Sequence, residues 1–200
     1  MPKLLLATKN YGKLREFSSL LKGIPFELTT LANERINVSV EETGATLEDN
    51  AKLKATICAT ESQLLTLADD SGLEVGALGG EPGVMSARYA GEDVSDKQLV
   101  TYLLSKLETV PWEKRHAQFR CVIAIAHPSG ETELCEGGCH GIICFEPRGT
   151  QGFGYDPIFY IPELDKTMAE LSEEEKNGLS HRAKAAENAR HILQKGILSS

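Results

Sequence analysis

A chain of 200 residues, 41% hydrophobic and 25% charged, is long enough to bury one good-sized core and lacks the Pro- or Ser-rich bias of a disordered segment. Its formal net charge of −8 disfavours broad electrostatic adhesion to nucleic acid, but it allows a small anion to be gripped by a few clustered cations. The N-terminal apolar run is short and soon meets Lys9, Asn10 and Lys13, so neither a signal peptide nor a membrane span fits, and a cytoplasmic location is expected.

In chain order, Lys3 to Thr8 read as a buried strand, followed by a turn at Lys9-Asn10-Tyr11-Gly12. A helix then runs from Lys13, with Leu14, Phe17 and Leu21 on one face, and ends at Gly23. Thr46 is placed to cap a second helix reaching Ser62, which sets Asn50 and Lys54 one turn apart on one face. Leu64 to Ala68 reads as a short apolar strand that stops at Asp69-Asp70-Ser71-Gly72. A loop spans Gly79 to Gly91, and Ser95 caps a helix to Leu107. Phe119 to Ala126 and Thr132 to Phe145 read as paired strands around a turn at His127-Pro128-Ser129-Gly130. A glycine-rich segment covers Gly149 to Asp156, a short helix Leu171 to Asn177, and Ser180 caps a last helix striped with Ala185, Ala189, Ile192 and Leu193. The mixture predicts an α/β fold in a single domain over residues 1–200.

The five cysteines (Cys58, Cys121, Cys135, Cys139 and Cys144) are odd in number and contain no CxxC pair, which fits a reducing compartment and argues against a disulfide framework. Four other segments carry chemistry. Thr8-Lys9-Asn10-Tyr11-Gly12-Lys13 is a strand-to-helix turn where backbone N–H groups, a positive helix end and lysines converge, an anion-binding arrangement without Walker A spacing. Glu41, Glu42, Asp69 and Asp70 offer the hard oxygen ligands that magnesium takes one or two at a time. Gly152-Phe153-Gly154-Tyr155-Asp156 sets an aromatic between glycines, where a flat base can stack. Ser180-His181-Arg182, with Lys176 just before it, presents donors suited to a purine O6 and N7. Each segment alone also has a plain reading as a capped turn, a core plug or a solvated helix start.

Together these segments resemble the inosine triphosphate pyrophosphatase family, on ATKNYGKLREF (7–17), EETGATLEDNAKLKA (41–55), ADDSGLEV (68–75), PGVMSARYAG (82–91), GFGYDPIF (152–159) and SHRAKA (180–185). The resemblance implies an elongated two-lobed α/β fold with a central mixed β-sheet and a deep substrate cleft between lobes, usually assembled as a homodimer. It implies a magnesium-dependent pyrophosphatase acting on ITP, dITP and XTP, with no nucleic-acid or membrane partner, that clears these nucleotides from the pool. Carried over residue by residue, Thr8, Lys9, Asn10, Tyr11, Gly12 and Lys13 form a phosphate cradle, Lys54 is a second phosphate contact, and Glu41 and Asp70 hold the metal. Asp70 is also the general base, Ser71 lies beside the substrate, and Phe153, Gly154 and Tyr155 bring an aromatic to the purine. Asp156, Lys176, His181 and Arg182 shape the base pocket, where Arg182 would donate to an oxygen at C6 and reject the amino group of adenine. The sequence departs from the pattern at Lys9, where a smaller residue is expected, and the adjacent Glu41 and Glu42 leave either one able to face the metal. A pyrophosphatase for other modified bases, or a nucleotide sensor without metal-binding acids, are the competing readings.

Overall fold

A computed structural model describes residues 1–198. In chain order the elements are β1 (Lys3–Leu6), α1 (Tyr11–Leu20), β2 (Glu27–Thr30), α2 (Leu47–Ser62), β3 (Leu65–Val75) and α3 (Asp96–Lys106). They continue with β4 (His116–Ala126), β5 (Thr132–Ile143), β6 (Phe159–Ile161), β7 (Lys166–Thr167), α4 (Glu173–Leu179) and α5 (His181–Leu198), with short 3₁₀ turns between. The strands form one seven-stranded mixed sheet in the order β2-β1-β3-β4-β5-β6-β7. β1 pairs in parallel with both neighbours, so that Leu4, Leu5 and Leu6 lie opposite Leu65, Thr66 and Leu67 of β3, while β6 is antiparallel to β5 and β7. Among the described residues no helix is long and apolar enough to cross a membrane.

Capping chemistry sets the helix starts. Thr46 accepts from the Asp49 amide at 3.1 Å and opens α2, as its sequence position predicts. Ser95 and Gln98 close a capping box at the start of α3, and Ser172 with Glu175 does the same for α4, two residues beyond the expected start at Leu171. α1 begins at Tyr11 rather than Lys13 because Asn10 is its cap, its Oδ1 accepting from the Lys13 amide at 3.0 Å.

The largest difference from the sequence reading is β3. Asp69-Asp70-Ser71-Gly72 is not a turn: the strand runs through it to Val75, and Leu73 and Val75 are fully buried. The preference of Asp, Ser and Gly for turns is local, and it is overridden because both carboxylates find cationic partners and the apolar residues beyond them enter a core. The short strands β2, β6 and β7 carry too few residues for a period-two pattern to stand out.

The chain resolves into two compact units, one made of Met1–Asp70, Cys121–Gly137 and the residues from His181 on, the other of Ser71–Arg120 and Gly138–Ser180. Each has its own apolar core. In the first, Leu4 and Leu6 of β1, Leu67 of β3, and Cys121, Ile123 and Ile125 of β4 pack with Phe17 and Leu21 and with Ala185, Ala186, Ala189 and Leu193 of α5. The expected alanine stripe of the last helix is thus the face that enters this core. In the second, Leu99, Val100, Leu103 and Leu107 from α3 and its end pack with Leu73, Val75, Phe119, Ile143, Phe159 and Met168.

The first turn of α5 lies hard against β5, since a Cβ at Gly137 would sit 2.3 Å from the His181 carbonyl oxygen and 2.4 Å from the Ala185 nitrogen. Both obstacles are backbone, so neither can swing aside. Gly137→Ala should therefore destabilise the protein by about 1–3 kcal/mol through forced separation of strand and helix. Urea unfolding with intrinsic fluorescence measures this, and an unchanged midpoint would show that the packing yields freely.

Candidate active site

Strand alternation sends Asp69 and Asp70 to opposite faces of the sheet, and each meets a different set of helices. Asp69 shares the face of Leu67 with α1 and α5, whereas Asp70 points to α2. Lys13 Nζ lies 2.8 Å from Asp69 Oδ2. Arg182 Nε is 3.9 Å from the same oxygen, and Arg182 Nη1 donates to Glu16 Oε2. The Cys121 thiol donates to Asp69 Oδ2 at 3.9 Å. The Arg182 side chain is only 2% exposed and that of Asp69 only 1%, so this is a buried network of alternating charge.

The carboxylates differ in proton affinity as well as in direction. Burial works to raise the Asp69 carboxyl, but Lys13, Arg182 and Lys54 outweigh it and hold the group well below the usual carboxylate range. Burial, helped by the nearby Glu42, pushes Asp70 the other way, upward, against the pull of Lys54, Lys13 and the Asn50 hydrogen bond. Asp69 is therefore held as an anion by its cations, and Asp70 has the higher proton affinity of the two.

On the α2 face, Lys54 Nζ is 2.6 Å from Glu42 Oε1 and 3.5 Å from Asp70 Oδ1, and Asn50 Nδ2 donates to Asp70 Oδ2 at 3.2 Å. Burial pulls the Lys54 ammonium down, but Asp70, Asp69 and Glu42 more than compensate and raise it. The structure brings Glu42 to this cluster; Glu41 is exposed. Among the described residues no group of three or more His, Cys, Asp or Glu side chains is arranged to hold a metal ion. One or two carboxylates are nevertheless the protein donor set magnesium uses, with the rest of its shell filled by water and substrate oxygens.

The turn from Thr8 to Lys13 is more internally bonded than its sequence implies. Thr8 Oγ1 accepts from the Asn10 amide at 3.2 Å and Asn10 Oδ1 takes the Lys13 amide, so two of the expected anion-binding amides are already occupied. Tyr11 is 87% exposed, Lys9 is exposed, and Gly12 is half-buried. Lys13 is turned inward to Asp69.

In the second unit the expected base-pocket residues from 153 to 156 are organised around Asp156. Its Oδ2 accepts from the Phe153 amide at 3.0 Å and from Lys176 Nζ at 2.7 Å, and Lys176 Nζ also lies 5.1 Å from the centre of the Phe153 ring. Gly154 N donates to Asp96 Oδ2 at 2.8 Å, and the Tyr155 hydroxyl donates to the Ser86 carbonyl, so Tyr155 is a buried anchor of the loop. Ser71 is half-buried on β3, and His181 is buried at the start of α5.

Three participants escape sequence reasoning: Glu16, Asp69 as a separate pole, and Asn50 as a ligand of Asp70. Glu16 stands three residues beyond Lys13 on α1, a spacing that puts both on one face, and it is the one signal that could have revealed it.

Residues 4–192 match the Ham1 family. The chain is 50% identical over 182 residues to the dITP/XTP pyrophosphatase of Halalkalibacterium halodurans, covering 91% of this chain and 94% of that one. It is 51% identical over 185 residues to the dITP/XTP pyrophosphatase of Geobacter sulfurreducens, covering 92% and 93%. The structure of a HAM1 protein from Coxiella burnetii superposes with a TM-score of 0.89 at 40% identity, covering 98% of this chain and all of that one.

Asp69→Asn should cost about 3 kcal/mol or more, because it leaves Lys13 and Arg182 buried with weaker compensation. The folded-state pKa is depressed, so the contribution is complete above the unfolded-state value near about 4 and fades as pH falls below it. Urea unfolding of wild type and variant should therefore show a gap at neutral pH that narrows toward pH ~3. A gap independent of pH would mean that the lost stability is packing, not charge.

Proposed function

The chain belongs to the Ham1 family, and on that premise we propose that it hydrolyses the deaminated purine nucleoside triphosphates ITP, dITP and XTP to the monophosphate and pyrophosphate. The observation that carries the reading is the division of labour in Asp69-Asp70: one carboxylate locked among cations, its neighbour displaced upward beside a lysine and an amide. A base that must be ionised near neutral pH yet accept a proton is better served by the second environment. We infer further that the enzyme works in the cytoplasm as a homodimer, a reading supported by its family resemblance and by five reduced thiols.

Cleavage between the α- and β-phosphates needs a water held in line and a leaving pyrophosphate whose growing charge is neutralised. Asp70 orients that water and takes its proton. Lys13 and Lys54, each now paired to a carboxylate, exchange part of that pairing for phosphate oxygens, with Thr8, Lys9, Asn10, Tyr11 and Gly12 lining the turn that receives them. Asp70 and Glu41 would hold magnesium, which would add to the neutralisation of the phosphate charge. The family resemblance supports Glu41 as the second acid, while Glu42 is the one that meets Lys54.

For the purine, the family resemblance supports Phe153 as the stacking ring, on a loop held by Gly154 and Tyr155, and Ser71, Asp156, Lys176, His181 and Arg182 as polar contacts. Arg182 is gripped by Glu16, so its fork is rigid, and a rigid donor discriminates well between an oxygen and an amino group at C6.

Pyrophosphate release from ITP, dITP, XTP, GTP, ATP and CTP, with magnesium and with EDTA, tests the whole reading. Fast metal-dependent release from the first three is expected, falling by about a thousandfold or more in Asp70→Asn while its melting curve stays close to wild type. Equal rates across the panel would remove the base assignments, and full turnover by the variant would remove Asp70 from the chemistry.

The two adjacent glutamates are separated by the magnesium requirement. Glu41→Gln should raise the magnesium concentration for half-maximal activity by about tenfold or more. Glu42→Gln should leave that value alone and act on KM through Lys54; the reverse pattern would give the metal to Glu42.

A further inference from the structure

Asn50 is fully buried in the first turn of α2, and its side-chain amide is used at both ends. Oδ1 accepts from the Gly44 backbone amide at 2.8 Å, and Nδ2 donates to Asp70 Oδ2 at 3.2 Å. These partners fix which way the amide faces, because a backbone N–H only donates and a carboxylate only accepts. An aspartate here could satisfy Gly44 but not Asp70, and a leucine could satisfy neither.

The contact is shaped from both sides. A Cβ at Gly44 would lie 2.6 Å from Asn50 Oδ1 and 2.6 Å from the Asp49 Cβ, so the segment can reach the amide only with glycine at this position. Gly44 stands two residues after Glu42, whose carboxylate meets Lys54 at 2.6 Å. One buried amide thus ties the acidic segment and the carboxylate of β3 together.

The two oxygens of Asp70 have different donors: the fixed neutral amide of Asn50 at Oδ2 and the longer contact from Lys54 at Oδ1. The terminal torsion of an aspartate is broad, so a carboxylate whose cation moves toward phosphate would turn unless a second donor holds it. We propose that Asn50 is a positioning residue that fixes the carboxylate plane of Asp70, and with it the acidic segment around Gly44, through a single donor-acceptor amide. This inference rests on the reading of Asp70 as the group that orients the water.

The test compares Asn50→Asp, Asn50→Leu and Gly44→Ala with wild type and with Asp70→Asn, using dITP and saturating magnesium, and refers each rate to the folded fraction seen by circular dichroism. Both Asn50 variants lose the donor to Asp70, but only Asn50→Asp keeps an acceptor for Gly44. Gly44→Ala pushes the amide without removing it. The expected result is a fall in kcat of about 10- to 100-fold in both Asn50 variants, with KM within about threefold of wild type. Gly44→Ala should show the same kcat-selective direction, and it decides the matter if the buried substitutions do not fold. Wild-type kcat in Asn50→Asp would overturn the proposal, since Asn50 would then merely anchor the loop, and so would losses confined to KM. Failure of the underlying reading looks different: Asp70→Asn alone would retain turnover.

Discussion

Two neighbouring residues of a strand point to opposite faces, and the first unit is organised around that constraint at Asp69 and Asp70. One carboxylate falls on the face covered by α1 and α5, the other on the face covered by α2. A buried carboxylate must be compensated, so each face has to supply cations or amides at the end of the apolar part of β3. Lys13, Arg182, Lys54 and Asn50 are the residues that do so, and they come from three helices distant in sequence. The same peptide segment therefore presents two acids of different proton affinity, Asp69 the lower and Asp70 the higher.

The charged network also fixes where helices lie. α1 and α5 already meet through Phe17, Leu21, Ala185, Ala189 and Leu193, an apolar contact that small residues make close but not unique in register. The chain of contacts from Glu16 to Arg182 to Asp69 to Lys13 adds direction to that packing. Buried ion pairs contribute little net stability compared with apolar substitutes, but breaking one strands its partner. The network is thus better understood as selecting one arrangement of helix and strand than as strengthening the fold. That arrangement sets Arg182 and Lys13 on one carboxylate.

Much of this is legible in the amino-acid sequence. Helix caps at Thr46 and Ser95, the alanine stripe of α5 and the six motif segments are local signals, carried by residues within one or two turns of each other. What local signals cannot carry is the continuation of β3. Asp-Asp-Ser-Gly has turn propensity, and partners far along the chain, among them Lys13, Lys54 and Arg182, together with the burial of Leu73 and Val75, make it strand. Misplacing a turn there conceals the alternation, and without alternation Asp69 and Asp70 look interchangeable. Arg182 shows the same limit. A helix-start arginine reads as a solvent-facing donor, and its pairing with Glu16 depends on the packing of α5 against α1.

The loop from Gly152 to Asp156 follows the same economy of one acid serving several donors. Asp156 receives the Phe153 amide and the Lys176 ammonium on one oxygen, and a Cβ on Gly152 would fall 2.0 Å from that atom. The ammonium in turn lies near the ring of Phe153, so polar contacts and a cation help to place the aromatic. An aromatic held this way has one face defined by charge. The order of the loop and the presentation of the ring are consequently one property, and a change at Asp156 acts on the ring through the loop.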